Sequence, residues 1–252
     1  MIICLFLSYL CFLSRVPMNR FSICYFSLLF AVFFLSCRNH AGDQSGEAPK
    51  VIPEMNRDAA DSSGAIESIF SDSEDRDRNI WQKPEMVISL LGDLKGKTVA
   101  DIGAGSGYFA FRLTPRAEKV IGIDIDPGFI SFLDSMKVRL PESYRNRFVS
   151  RLAKPDDPML GPEEADAVII VNTYAYIDNR TQYLKTLYKG VAPGGRLLIV
   201  DFKKNDIPIG PPDHFRITLN DVRRELISAG FKVIQVDLES LDYQYIIIAE
   251  KK

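Results

Sequence analysis

Beyond Cys37 the 252-residue chain has no cysteine; Cys4, Cys11, Cys24 and Cys37 are all there are. A disulfide framework or a thiolate metal site is therefore excluded from everything downstream. Histidine is almost as scarce, with only His40 and His214, too few for a histidine-rich metal centre. We expect no metal. Charge of one sign is lacking too: 31 Lys and Arg face 33 Asp and Glu, leaving a net charge of −2. That balance provides no basic surplus for an extended nucleic-acid surface, and no nucleic-acid partner is expected.

What the chain does have begins with an apolar amino terminus. Residues 1–37 are apolar and aromatic, interrupted only by Ser14-Arg15-Val16-Pro17-Met18-Asn19-Arg20. From Met18 a short basic start precedes an apolar run, Phe21 to Leu35, too short for a full membrane span and of the length of a signal h-region. With Phe34-Leu35-Ser36-Cys37 closing it, this run resembles a bacterial lipoprotein signal. The resemblance implies a lipidated Cys37 as the first mature residue, a membrane-anchored chain facing the periplasm, and translation starting at Met18. An uncleaved anchor helix extended by residues 2–13 is the alternative. Residues 38–64 are polar, with Gly, Ser, Asp and Pro and no hydrophobic period, and read as a flexible tether.

The folded domain is expected over 65–252, enough chain for one α/β unit. Its first part carries an acidic-basic run, Ser71 to Arg78, read as a solvated face. Trp81, the sole tryptophan, reads as a packing residue. Met86, Val87, Leu90, Leu91 and Leu94 then fall at helical spacing. Strands are expected at Thr98–Ile102, Val120–Asp124, Arg147–Leu152, Ala167–Asn172 and Arg196–Phe202, with helices between them. A helix over Arg180–Val191 should stop at Pro193-Gly194-Gly195. Two last strands, Phe231–Leu238 and Tyr243–Glu250, have too short a link for a crossover helix and must pair antiparallel. The expected fold is a Rossmann-like α/β three-layer sandwich: a seven-stranded, mostly parallel sheet with one antiparallel strand in a closing hairpin.

The chemistry centres on Val99-Ala100-Asp101-Ile102-Gly103-Ala104-Gly105-Ser106-Gly107-Tyr108-Phe109. A buried strand ends in an acid, turns through three glycines and opens into a helix. Glycine permits the tight turn and lets a ligand approach the backbone, and a helix start offers free N–H groups. Asp124 follows Gly107 by seventeen positions, at the end of the second strand. An acid there accepts hydrogen bonds from both ribose hydroxyls of an adenosine-type ligand. A dinucleotide fingerprint would place glycine at Tyr108, whereas here the third glycine comes one residue early. That misfit and the closing hairpin both fit badly with a nicotinamide domain.

Together with Val120–Pro127, Ala167–Asn172, Leu184-Lys185 through Leu198 and the closing Ala229-Gly230-Phe231, this loop resembles the class I S-adenosylmethionine-dependent methyltransferases. The resemblance covers about residues 76–252. It implies S-adenosylmethionine as cofactor and a small-molecule or protein methyl acceptor. Asp101 and the loop Gly103, Ala104, Gly105 and Gly107 would hold the methionine end. Asp124 would take the ribose, Ile125 would pack on adenine, and Asp157, or its neighbour Asp156, would meet the adenine amino group. Asn172 stands where many members carry an acid facing the reacting methyl. Members with Tyr-His-His after that point match Tyr174-Ala175-Tyr176 here, so both histidines of that pattern are missing. Tyr174, Asp201 and His214 are the candidates for a catalytic base. The lipoprotein-type signal and the cofactor pull apart, because S-adenosylmethionine is a cytoplasmic metabolite. A non-catalytic adenosine-ligand-binding module of the same fold, anchored at the cell envelope, is therefore the alternative.

Overall fold

A computed structural model describes residues 73–252. The signal segment 1–37 with Cys37 and Met18, and the tether 38–64, lie outside the described residues. Within them the chain forms helices α1 (Ser73–Gln82) and α2 (Pro84–Ser89), then β1 (Thr98–Ile102), α3 (Ala110–Leu113), β2 (Lys119–Asp124), α4 (Pro127–Lys137), α5 (Glu142–Arg145), β3 (Phe148–Leu152) and β4 (Ala165–Val171). After a 3-10 turn at Tyr174–Tyr176 come α6 (Arg180–Gly190), β5 (Val191–Phe202), a second 3-10 turn at Asp213–Phe215, α7 (Leu219–Ser228), β6 (Lys232–Asp237) and β7 (Gln244–Glu250).

The seven strands order as β3-β2-β1-β4-β5-β7-β6. Pairings among β1 to β5 are parallel, while β7 runs antiparallel to both β5 and β6. The hairpin is therefore folded back into the sheet: β7 inserts between β5 and β6 and is the one reversed strand.

Strand periodicity explains the layers. Alternate residues of β4 go to opposite faces: Ala167, Ile169 and Val171 join Val99, Phe111 and Leu133 on one side. Val168 and Ile170 join Leu184, Leu187, Val222 and Leu226 on the other. The unbroken apolar run of β4 is that of a strand covered by helices on both faces.

Local signals set most boundaries. The Asp126 carboxylate accepts from Gly128 N at 2.7 Å and Pro127 takes the first turn, which fixes the start of α4. Thr218 caps α7 by accepting from Asp221 N, and Gly230 ends it at φ +102°. Trp81 packs on Phe202, ring centroids 5.9 Å apart.

From Ser73 the charged run is helical and continues to Gln82 as α1. One expectation changes. Pro193-Gly194-Gly195 does not separate a helix from a strand. α6 runs straight into β5, which starts at Val191 opposite Ala165 and resumes regular pairing at Arg196 after a register shift. An irregular, shifted strand start of this kind tolerates proline and glycine even in an interior strand.

Candidate active site

The carboxyl ends of β1, β2 and β4 converge where the strand order reverses, the position at which open α/β sheets form their ligand crevice. Two cavities meet there. The larger, about 660 Å3, is bordered by Gly103, Gly105, Asp124, Ile125, Phe129 and Asn172, with Tyr176, Asp178 and Tyr183 farther round its wall. Its volume lies within the range of about 300–1,000 Å3 common to ligand pockets. The smaller, about 210 Å3, takes in Arg78, Asp101, Gly103 to Ser106, Asn172 and Thr173.

The loop after β1 is pinned to β2: Gly103 N and Ala104 N both donate to Ile123 O, at 2.8 and 2.9 Å. Gly103 has φ +72°, and a Cβ added there would lie 2.2 Å from Thr173 Oγ1, so packing demands glycine. Gly105 differs. Its φ is +52° and a Cβ would meet nothing within 4 Å, so its bare backbone faces open cavity space. Gly107 is again a packing glycine, against Phe111 and Leu133.

Asp124 closes the loop from the other side. Its Oδ2 accepts from Gly105 N at 2.9 Å and its Oδ1 accepts from Asp126 N at 3.0 Å. A carboxylate has about four acceptor positions, so two bonds leave capacity on the cavity side for hydroxyl donors. Asp101 is buried beneath the loop. Burial raises its pKa from 3.8 to about 7, against a hydrogen bond from the Ala110 backbone and the nearby Arg78 cation, while the Asp124 charge pushes it further up. Arg78 reaches this corner from α1, its guanidinium 3.9 Å from the centroid of the Tyr108 ring.

The expected cofactor residues Asp101, Gly103, Ala104, Gly105, Asp124, Ile125 and Asn172 are thus gathered around the two cavities. Asp157 is not among their walls, which at that point are Ala153, Lys154 and Pro155. Its carboxylate accepts from Met159 N at 2.7 Å and holds its own turn.

The three base candidates lie elsewhere. Tyr174 is buried and its hydroxyl donates to Glu225 Oε2 at 2.6 Å; burial and that carboxylate drive its pKa upward. Asp201 accepts from Phe202 N and Ala175 N, at 2.8 and 3.1 Å, and burial raises its pKa to about 6. His214 rides an exposed turn with its ring 4.2 Å from that of Phe215. None of the three borders either cavity.

Sequence reasoning missed Arg78, Gln82 and Gln244 around the site. The spacing of Arg78 and Gln82 was a helical signal; nothing local points from Gln82 to Gln244.

Comparison with known proteins bears on what such a site holds. Residues 100–197 match the model of a family described as methyltransferase domain. Among solved structures, an S-adenosylmethionine-dependent methyltransferase from Aquifex aeolicus superposes with a TM-score of 0.65 at 22% identity, covering 75% of this chain and 98% of that one. The fold is that of the S-adenosylmethionine-dependent methyltransferases. A tRNA U34 carboxymethyltransferase from Sulfurovum sp. (strain NBC37-1) is 28% identical over 195 residues, 68% of this chain and 58% of the relative. A ubiquinone biosynthesis O-methyltransferase from Alkalilimnicola ehrlichii is 25% identical over 123 residues, 48% of each chain. The chain therefore spans about half the length of these curated relatives. The methyltransferase fold is also shared by the [4+2]-cyclase SpnF, TM-score 0.58 at 15% identity, covering 68% of this chain and 80% of that one.

Proposed function

We propose that this domain is an S-adenosylmethionine-dependent methyltransferase acting on a small-molecule or protein acceptor. The observation that carries the reading is the pairing of an open-faced Gly105 backbone with Asp124, one bounding the cavity and the other holding acceptor capacity into it. A Cβ at Gly105 would occupy space that a ligand needs. Bound S-adenosylmethionine supplies a sulfonium methyl already activated for displacement.

The chain's residues then bind and orient. Asp124 accepts from the ribose hydroxyls, Ile125 and Phe129 provide apolar wall for the base, and Asp101 offers its carboxylate below the loop. On the acceptor side Tyr176, Ile177 and Asp178 form the wall. With Tyr174, Asp201 and His214 all away from the cavities, rate enhancement rests mainly on holding an acceptor in line. A net charge of −2 favours a small molecule or protein over the tRNA named for one relative.

We further propose that the domain is tethered to the bacterial envelope through lipidated Cys37. Cys37→Ser should then move the protein from the membrane to the soluble fraction; persistent membrane retention of an uncleaved chain would favour an anchor helix. The catalytic reading is tested by incubating the protein with methyl-labelled S-adenosylmethionine and an envelope extract. Label should enter a discrete acceptor with the parent and not with Asp124→Ala. Cofactor binding without any transfer would point to the non-catalytic module instead.

A further inference from the structure

Behind Asn172 lies a chain of buried amides that neither cavity shows from its surface. Asn172 follows β4 in the left-handed region, φ +58°, and borders both cavities. Its Oδ1 accepts from Nε2 of Gln244, a residue of β7 that is fully buried. Gln244 Oε1 in turn accepts from Nε2 of Gln82 at 2.9 Å, and Gln82 is also fully buried. Gln82 Oε1 accepts from Arg78 Nε at 2.6 Å.

The direction of this relay is not a free choice. An amide can turn either way to suit its neighbours, but a guanidinium has donors only. Arg78 therefore fixes Gln82 with its oxygen toward α1 and its nitrogen toward Gln244. Gln244 must then present oxygen to Gln82 and nitrogen to Asn172. Asn172 spends its oxygen on Gln244, and Nδ2 is the polar group it has left for the cavities. Among the described residues Nδ2 has no hydrogen-bond partner.

We propose that Arg78, Gln82 and Gln244 are positioning residues that set Asn172 as a hydrogen-bond donor at the junction of the two cavities, so the ligand group that meets it is a carboxylate or carbonyl oxygen. An acid in this place would attract a cation or take a proton; the wired asparagine does neither. The proposal rests on the functional reading above for the identity of the ligand, and two sources of such an oxygen exist. One is the amino-acid end of the cofactor. The other is the methyl acceptor.

Gln82→Glu reverses the relay without changing its size. A glutamate still accepts from Arg78 but cannot donate to Gln244, so Gln244 and then Asn172 turn over and Oδ1 faces the cavities. The side-chain amide signals of 15N-labelled full-length protein report this directly: the Asn172 NH2 resonance should move in Gln82→Glu before any ligand is added. Calorimetry then compares S-adenosylhomocysteine with 5′-methylthioadenosine, which lacks the amino-acid end. If the oxygen is the cofactor's, the variant loses about tenfold in affinity for the first and nothing for the second, the scale of one hydrogen bond exchanged for a facing acceptor. If it is the acceptor's, both are unchanged and benzoate binding to the S-adenosylhomocysteine complex falls by about tenfold instead. Asn172→Asp, which leaves the buried relay residues in place, should reproduce the loss, and adding Gln82→Glu to it should cost nothing more. An unmoved Asn172 resonance, or unchanged affinity for all three probes with the parent still binding S-adenosylhomocysteine, overturns the proposal and spares the functional reading. A parent that binds neither nucleoside overturns that reading, and with it the assignment of the oxygen.

Discussion

Gly103 and Gly105 sit two positions apart, and the structure asks different things of them. Gly103→Ala drives a Cβ to 2.2 Å from Thr173, so thermal melting should show a loss of stability well beyond the roughly 1–2 kcal/mol of a left-handed residue. Gly105→Ala should cost no more than that conformational penalty, but weaken nucleoside binding because its Cβ enters the cavity. Equal melting temperatures for the two variants would contradict this division. Asp101 carries a second residue-level prediction. Its pKa is raised from 3.8 to about 7, so the folded state keeps a proton that the unfolded chain releases between those values, and stability falls as pH rises through that window. Asp101→Asn should therefore melt above the parent at pH 8, with the gap narrowing toward pH 5; a gap independent of pH would contradict it. The glycine loop, Asp101 and Asp124 were legible in the sequence as a strand, a turn and a helix start with an acid seventeen positions after Gly107, whereas the packing role of Gly103 was not, because Thr173 lies 70 residues away. Asn172 was legible as a position but not as a wired donor. Its partners are 72 and 90 residues distant in the chain, at Gln244 and Gln82, and no local pattern encodes that distance.

The 3-10 turn at Tyr174–Tyr176 shows how an element can matter through its fastenings. Tyr174 donates to Glu225 on α7, Ala175 N donates to Asp201 at the end of β5, and Tyr176 is thereby set on the cavity wall. Arg180 donates to the same Glu225 at 3.1 Å. Tyr174→Phe should cost about 1.5–3 kcal/mol of stability, the usual worth of a hydrogen bond to a charged group, and leave nucleoside affinity within about twofold. A large loss of nucleoside affinity at unchanged stability would show that Tyr174 touches ligand after all. At this scale the sequence was readable where an unbroken apolar run marks a strand covered on both faces, as in β4, or where apolar residues recur at helical spacing, as at Tyr183, Leu184 and Leu187 of α6. It was not readable in α1, whose charged residues give no apolar stripe. In β5 the stretch Arg196–Phe202 was readable but the start at Val191 was not, because Pro193-Gly194-Gly195 looks like a break and is absorbed by a shifted register.

For the molecule as a whole, strand order does the positioning. Because β1 has β2 on one side and β4 on the other, Asp101, Asp124 and Asn172 leave three neighbouring strands toward one crevice. Two apolar clusters hold the sheet between α2, α3 and α4 on one face and α6 and α7 on the other. Leu184, fully buried among the second cluster, should cost about 2–5 kcal/mol when cut to alanine, and equilibrium denaturation would measure it. This general architecture was legible from alternating strands and helices, while the insertion of β7 between β5 and β6 was not: a short link dictates antiparallel pairing but not which strand the hairpin lies against. The central claim is that the crevice holds S-adenosylmethionine through Asp124 and the Gly105 backbone. Calorimetric titration of the protein with S-adenosylmethionine tests it most directly. Micromolar binding that weakens by at least tenfold in Asp124→Ala is the result the account predicts, and a parent that binds no S-adenosylmethionine, or a variant that binds it as well as the parent, is the result that would contradict it.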